Sequence, residues 1–303
     1  MQNTYFLSGI MFLLSKLFKS NNIKSKTVNQ WLDEYVKILA ERELKPKTRE
    51  IKAYLIKVIR REIGNQLVKK ITPPDIAKII KIYTDQDKAP SAKNMYHLLT
   101  DVFREAYAQG WNDKNPVDPI KCPKVVVKRS RMTLKEFKKI LNEADKTGNN
   151  LMYRAMMLAL VTGQRRSDIA VMKKSNVKRN HLLIDQYKTG SKIALPVKLE
   201  CKKVKTSLRD IIDSSKNDYL VSINNEPVKL DNITNQFSRL RDRVFNRDYW
   251  TGNPTTFHEI RSLSERLYRE QKIDTMTLLG HKSQAMTDRY NDSRGREWRY
   301  LKV

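Results

Sequence analysis

Across residues 27–116, apolar side chains recur at the three-to-four-residue spacing of amphipathic helices. Trp31, Leu32, Tyr35, Val36, Ile38 and Leu39 form the first stripe, and Lys45-Pro46 is expected to end it, since a helix interior needs the amide that proline lacks. A second stripe, Ile51, Tyr54, Leu55, Val58 and Ile59, stops near Gly64. Thr72-Pro73-Pro74-Asp75 then combines an N-cap residue, an early proline and an acid in the first turn, all of which favour a helix start. The helix it opens carries Ile76, Ile79, Ile80 and Tyr83. A fourth is expected to open at Ser91, to carry Met95, Leu98, Leu99, Val102, Phe103 and Tyr107, and to close at Gly110. Four helices with short connections predict a compact all-α module over residues 27–120.

Pro116, Pro119 and Pro123 then break regular structure, and residues 121–131 are dense in Lys and Arg. A basic interdomain linker over residues 121–132 is predicted, in which Lys124, Lys128, Arg129 and Arg131 meet a nucleic-acid backbone or, on the plainer reading, water. Thr133-Leu134-Lys135-Glu136 reads as a capping box that opens a second domain, residues 133–303. One helix there carries Leu134, Phe137, Ile140 and Leu141; another, over residues 152–161, is apolar on most faces and so should be buried. Beyond Asp168 the period changes. Val177, His181–Asp185 and Lys192–Pro196 alternate like short strands, with Lys188-Thr189-Gly190-Ser191 as the turn between the last two. From Lys198 the pattern is again mainly helical. The fold class is therefore mainly α with a small antiparallel β-sheet.

Composition narrows the function. The 303 residues include 60 Lys and Arg against 33 Asp and Glu, a net charge of +27. Self-repulsion on that scale destabilises a compact chain unless a polyanion offsets it, and nucleic acid is the commonest polyanion. Two cysteines, Cys122 and Cys201, give no disulfide framework, and four histidines exclude an array of zinc fingers. A reducing, cytoplasmic setting follows. Residues 1–26 hold an apolar run too short to span a bilayer, preceded by no Lys or Arg as a secretory signal would be. A packed or frayed terminal helix, or an appended segment, is expected there, and no membrane partner.

Four polar stretches could carry chemistry. In Thr162-Gly163-Gln164-Arg165, a buried helix ends and delivers Arg165 to the start of the next one, where it could clamp a phosphate while Asp168, three residues on, holds its guanidinium. A structural Arg-Asp pair is the plainer alternative. Lys188 sits on the hairpin tip, where it is merely solvated unless the hairpin points at a leaving oxygen that needs a proton. His258 and Arg261 lie three apart on a predicted helix and would share a face, a pairing suited to a phosphodiester. His281 follows Gly280 in the turn after a helix, and Tyr290 lies nine residues on in a short polar helix, as a core anchor or as a covalent nucleophile. The sequence carries no metal-ligand cluster, Walker loop or dinucleotide fingerprint.

Arg165, Lys188-Thr189-Gly190, Thr256-Phe257-His258-Glu259-Ile260-Arg261, Leu278-Leu279-Gly280-His281-Lys282-Ser283, Tyr290 and Arg294-Gly295-Arg296-Glu297-Trp298 stand in the order and approximate spacing of the tyrosine recombinases. Over residues 27–303 the chain resembles the phage integrase family, and within it the lambda-type integrases. The resemblance implies a helical core-DNA-binding domain at 27–120 and an α+β tyrosine-recombinase catalytic domain at 133–303, gripping duplex attachment sites as a clamp. It implies Tyr290 as the nucleophile that forms a 3′-phosphotyrosyl link, with Arg165 and Arg261 on the non-bridging oxygens and Lys188 as the general acid. His258 would be a base or hydrogen-bond partner, His281 would contact the phosphate, and Asp168 would support the first arginine. No cofactor and no metal is implied. Four protomers would assemble on two sites to integrate or excise phage DNA in the nucleoid of a bacterial host, with residues 298–303 packing on a neighbouring protomer. DNA-bending or directionality proteins would assist. Lambda-type members carry an arm-binding N-terminal domain that the apolar residues 1–26 do not resemble, so a DNA-binding prophage remnant is one alternative. A topoisomerase IB-like nicking-closing enzyme is the other.

Overall fold

The computed structural model describes residues 25–127 and 130–291. The apolar N-terminal segment, Lys128, Arg129 and the C-terminal tail at 298–303 therefore lie outside the described residues, apart from residues 25 and 26. The chain divides into two compact units, the first closing at Val126 and the second opening at Val127.

Among its described residues the first unit holds four α-helices: α1 (Val28–Glu41), α2 (Pro46–Ile63), α3 (Pro73–Thr84) and α4 (Ala89–Ala108). Thr27 and Gln30 close a reciprocal capping box on α1, and Thr72 and Asp75 close another on α3, so orphan amides at both starts find side-chain acceptors. Pro46 does not terminate a helix. It stands at the first position of α2, where its missing N–H would have had no intrahelical partner. Likewise α4 opens at Ala89, two residues ahead of Ser91, with Pro90 in its first turn. Trp31, Tyr35, Ile59, Ile76, Ile79, Met95 and Phe103 fill the core, and the Trp31 indole donates to the carbonyl of Val102 at 3.1 Å. Val36, Ile51, Tyr54 and Tyr107 are exposed, because the apolar stripes are wider than the faces the bundle covers.

The second unit opens at α5 (Leu134–Lys146), where the Thr133 amide donates to Glu136 at 2.7 Å and the Glu136 amide to Thr133 Oγ1 at 3.2 Å. Its central rod is α6 (Asn150–Thr162), buried on nearly every side as its unbroken apolar sequence requires. After the single turn α7 (Arg166–Ile169) comes a three-stranded antiparallel sheet, β1 (Val177–Lys178), β2 (His181–Asp185) and β3 (Lys192–Pro196). Leu182 pairs with Leu195 and Ile184 with Ile193, all four facing the core. Two further hairpins interrupt the stretch expected to be helical: β4 (Glu200–Cys201) with β5 (Thr206–Ser207), and β6 (Ser222–Ile223) with β7 (Glu226–Pro227). Strands of two residues are too short to show alternation. The remaining helices are α8 (Leu208–Asp213), α9 (Leu230–Val244), α10 (Glu259–Glu270), α11 (Thr275–Leu279) and α12 (Gln284–Asn291). Helix α10 packs along α6 and against α12, which sets the residues of its first turn beside the last turn of α12.

Candidate active site

At the end of α6, Gly163 takes a left-handed conformation (φ 65°), and a Cβ there would lie 3.0 Å from Leu279 and 3.1 Å from Ser264. Glycine at that place lets the chain turn sharply. The turn sends Gln164 inward and leaves Arg165 half-buried as the N-cap of α7. Arg165 Nη1 donates to Gln186 Oε1 at 2.9 Å. Asp168 does not hold that guanidinium, contrary to expectation. Arg165 has extended backbone (φ −73°, ψ 155°), so the helical three-residue spacing that would have brought the pair together does not apply to it. Buried Asp168 instead accepts the Tyr187 amide at 3.0 Å, one residue before Lys188.

Lys188 is exposed on the turn between β2 and β3. The turn is closed by Gly190 N–H to Gln186 O at 2.8 Å and by Gln186 N–H to Ser191 O at 3.0 Å, with Gly190 left-handed. Ser191 Oγ donates to the Gly280 carbonyl at 3.1 Å, so the hairpin is tied to the turn that precedes His281.

His258 immediately precedes α10 rather than lying within it, and Arg261 occupies the first turn. Arg261 is 1% exposed, an unusual place for a guanidinium, and its donors are spread over three partners. Nη1 donates to Gly163 O at 2.7 Å; Nη2 donates to Leu279 O at 2.7 Å and to His281 Nε2 at 3.1 Å. Burial pulls its pKa down to about 10, opposed by Tyr290 and reinforced by Arg165, so it is still a cation at neutral pH.

Helix α11 ends at left-handed Gly280 (φ 63°), which places His281 in the following turn, buried. Arg261 can only donate, so His281 Nε2 accepts and its proton sits on Nδ1, which lies 2.9 Å from Thr287 Oγ1. Burial first, then Arg261 and Arg165, push His281 down to about 4. The imidazole is neutral at physiological pH.

Tyr290 closes the group from the last turn of α12, half-buried. Its ring lies 5.2 Å from the ring of His281 and 6.0 Å from that of His258, and Arg261 Cζ lies 5.5 Å from its centroid. Its carbonyl accepts from Ser262 Oγ at 2.9 Å and from Arg131 Nη1 at 2.6 Å. The structure thus gathers Arg165, Arg261, His258, His281 and Tyr290, with Lys188 on the adjoining turn. Arg131 is half-buried and directed at the tyrosine-bearing helix rather than standing out from a linker, while Lys124 is exposed in the first unit. Among the described residues, no group of three or more His, Cys, Asp or Glu could hold a metal ion, and no helix is long and apolar enough to cross a membrane.

Sequence reasoning passed over Gln186, Ser262 and Thr287, and it gave Arg131 to the DNA backbone without its bond to the Tyr290 carbonyl. A signal existed for the first. Continuing the inward alternation of Leu182 and Ile184 puts Gln186 on the buried face, and a buried amide needs partners. Nothing in the sequence marks Ser262 or Thr287.

Comparison with known proteins agrees with this geometry. Residues 130–297 match the phage integrase family and residues 26–122 the phage integrase central domain. The chain is 40% identical over 284 residues to the integrase of Escherichia phage HK022, covering 91% of this chain and 79% of that one. It is 39% identical over 290 residues to the integrase of Escherichia phage lambda, covering 93% and 81%. A lambda integrase dimer bound to a COC′ core site superposes with a TM-score of 0.85 at 37% identity, over 96% of this chain and 83% of that one. A lambda integrase tetramer bound to a Holliday junction gives 0.84 at 38% identity, over 95% and 83%. With both parts of the chain matched and the two arginines, two histidines and tyrosine drawn together as the motifs require, the chain belongs to the phage integrase family of tyrosine recombinases.

Proposed function

We propose that the chain is a site-specific DNA recombinase that cuts and rejoins duplex attachment sites through a 3′-phosphotyrosyl intermediate on Tyr290, integrating or excising phage DNA. The observation that carries this reading is the placement of Tyr290 against Arg261 and His281, with Arg165 near enough to depress the His281 pKa. A phosphodiester seated there gains negative charge as a fifth oxygen approaches phosphorus, and two fixed guanidinium groups stabilise that charge more than the ground state.

In the proposed step the Tyr290 phenolic oxygen bonds to phosphorus and the bond to the 5′ oxygen breaks. Lys188 gives that oxygen a proton, so a 5′-hydroxyl leaves. His258 takes the phenolic proton. His281 is the poorer base because both ring nitrogens are engaged and its pKa lies near 4; its role is to orient Arg261, and the phosphate contact expected of it requires one of those bonds to be exchanged when DNA binds. Asp168 supports the arrangement by holding the backbone beside Lys188. Attack by a 5′-hydroxyl on the phosphotyrosine reverses every transfer, so rejoining consumes neither nucleotide nor metal.

Residues 27–120 serve in this reading as the core-DNA-binding domain, residues 121–132 as the basic linker and residues 133–303 as the catalytic domain. Lys124, Lys128 and Arg129 contact the DNA backbone, and much of the +27 charge lies along the duplex. The likeness to lambda integrase on a core site and on a Holliday junction supports a tetramer on two sites as the working form. In this reading it acts in the nucleoid of a bacterial cytoplasm, assisted by DNA-bending or directionality proteins.

The test is a set of nicked suicide duplexes drawn from the DNA flanking the gene. The wild-type protein should leave a denaturation-resistant protein–DNA adduct on one of them, and Tyr290→Phe should leave none while still binding. An equal adduct from Tyr290→Phe, or relaxation of any supercoiled plasmid without regard to sequence, would overturn the reading.

A further inference from the structure

Gln186 is 0% exposed and takes no part in the chemistry proposed above, yet three arms of the site meet at its side chain. Its Oε1 accepts from Arg165 Nη1 at 2.9 Å and from Thr189 Oγ1 at 2.7 Å. Its Nε2 donates to Gln164 Oε1 at 2.6 Å and to the Leu279 carbonyl at 3.0 Å. An arginine can only donate and a carbonyl can only accept, so the amide has one permissible orientation. Both lone pairs and both N–H groups are used, which is the full capacity of a carboxamide.

The four partners come from three arms, Gln164 and Arg165 being neighbours on one of them. Arg165 is the first clamp arginine. Thr189 follows Lys188 on the hairpin turn. Leu279 O also receives Arg261 Nη2 at 2.7 Å, so Gln186 and the second clamp arginine share one acceptor. The neighbouring chain makes room for this arrangement: a Cβ on Gly280 would lie 3.0 Å from both Nε2 and Oε1 of Gln186. A side chain at Gly280 would press on the amide, so the glycine before His281 preserves the space the hub occupies.

We infer that Gln186 is the positioning residue that holds Arg165 and the Lys188 turn in one rigid frame, so that the phosphate clamp and the leaving-group acid are aligned together. Lys188 itself is exposed, and its turn is also held by the Tyr187 amide on Asp168, by main-chain bonds of Gln186 with Gly190 and Ser191, and by Ser191 on the Gly280 carbonyl, none of which reaches Arg165. The bond from Thr189 to Gln186 Oε1 is the link that converts the position of Arg165 into the position of the acid. Removing the amide should displace the acid by more than it disturbs DNA binding, and misplacement of about 1 Å at a reacting centre costs up to about a hundredfold in rate.

The inference rests on the reading of Lys188 as general acid, and the experiment separates the two. Single-turnover cleavage is measured on the suicide duplex that gives the adduct, made either with the ordinary phosphodiester or with a 5′-bridging phosphorothiolate. The sulfur leaves without needing a proton, so the rate ratio between the two substrates reports acid catalysis and not general integrity. Lys188→Ala should raise that ratio about a hundredfold over wild type, and Gln186→Met by about tenfold or more. Thr189→Val, at an exposed position, removes only the hairpin's bond to Oε1 and should raise the ratio in the same direction, which keeps the test available if Gln186→Met does not fold. A raised ratio for Lys188→Ala with wild-type ratios for Gln186→Met and Thr189→Val overturns the positioning role alone. A flat ratio for Lys188→Ala overturns the acid assignment, and the inference with it.

Discussion

The carbonyl oxygen of Tyr290 accepts a hydrogen bond of 2.6 Å from Nη1 of Arg131, a residue 159 positions earlier in the chain. Ser262 Oγ supplies a second bond at 2.9 Å. Together they fix the end of α12 on the strand of chain that enters α5 and on the first turn of α10. Charge-assisted bonds of this kind are worth about 1.5–3 kcal/mol and are sensitive to geometry.

Arg131→Ala should therefore act on cleavage and not on affinity. Adduct formation in a single turnover is expected to fall about tenfold, with Ser262→Ala giving a smaller loss, because a misplaced nucleophile loses rate steeply. The slope of DNA affinity against salt should stay at the wild-type value. If Arg131 instead neutralised a phosphate, its removal would lower that slope by about one counterion and leave the cleavage rate of bound DNA unchanged. Filter binding across a salt series beside gel quantification of the adduct distinguishes the two.

The depressed pKa of His281 makes a pH prediction with a definite sign. In the unfolded chain an imidazole titrates near 6.5, whereas burial and then the two arginines hold His281 at about 4 in the native state. Between those values the unfolded state binds the extra proton, so the contribution of His281 to stability is full above about pH 6.5 and is lost as pH falls through 4. Denaturant melts from pH 7 to pH 4 should show a shallower loss for His281→Gln than for wild type. Imidazole nitrogen shifts should report the neutral Nδ1–H form at pH 6. Superimposable stability curves for the two proteins would rule out the shift.

Gly280 and Gly190 offer a matched comparison within one unit. Both are left-handed, at φ 63° and 66°, so alanine carries a similar backbone penalty of about 1 kcal/mol at either. Only at Gly280 would the added Cβ meet packed atoms, 2.6 Å from Ile193 Cδ1 and 3.0 Å from the Gln186 amide, whereas nothing lies within 4 Å at Gly190. Gly280→Ala should cost about 1–3 kcal/mol more than Gly190→Ala in urea denaturation, as overpacking of a close-packed site does. Equal losses would mean that the site yields without cost.

What could be read from the sequence, and what could not, divides along physical lines. The periodic faces of α1 to α4, the Thr72 and Thr133 caps and the Lys188 turn are local properties, each set by residues a few positions apart. Pro46 misled because proline both ends one helix and opens the next, and spacing alone does not choose between the two. Asp168 misled because Arg165, expected at the helix start where it stands, has the extended backbone of an N-cap, to which the three-residue spacing of a helix does not apply. The short hairpins β4–β5 and β6–β7 carry too few residues to show a period. The bonds of Gln186 to Leu279 and of Arg131 to Tyr290 are long-range, spanning 93 and 159 positions, and no local pattern encodes them.

Arg165 and Arg261 are assigned the same chemical task but are held in unlike ways, and replacement by lysine should expose the difference. Arg261 is buried and its planar fork bridges the carbonyls of Gly163 and Leu279 while also meeting His281. A lysine ammonium is a single point that does not reproduce the fork, and although Leu279 O keeps its bond from Gln186, Arg261→Lys leaves Gly163 O or His281 Nε2 without its donor and should cost about 1–3 kcal/mol of stability. Arg165 is half-buried with one side-chain bond, to Gln186, and Arg165→Lys should cost less than about 1 kcal/mol. Adduct formation should nevertheless fall about a hundredfold or more in both, since each variant loses the guanidinium proposed to stabilise the charge developing on phosphorus. Melting and adduct assays on the same two preparations decide the matter. Equal stabilities would show that the fork of Arg261 does not hold the site together, and undiminished cleavage in either would remove that arginine from the phosphate.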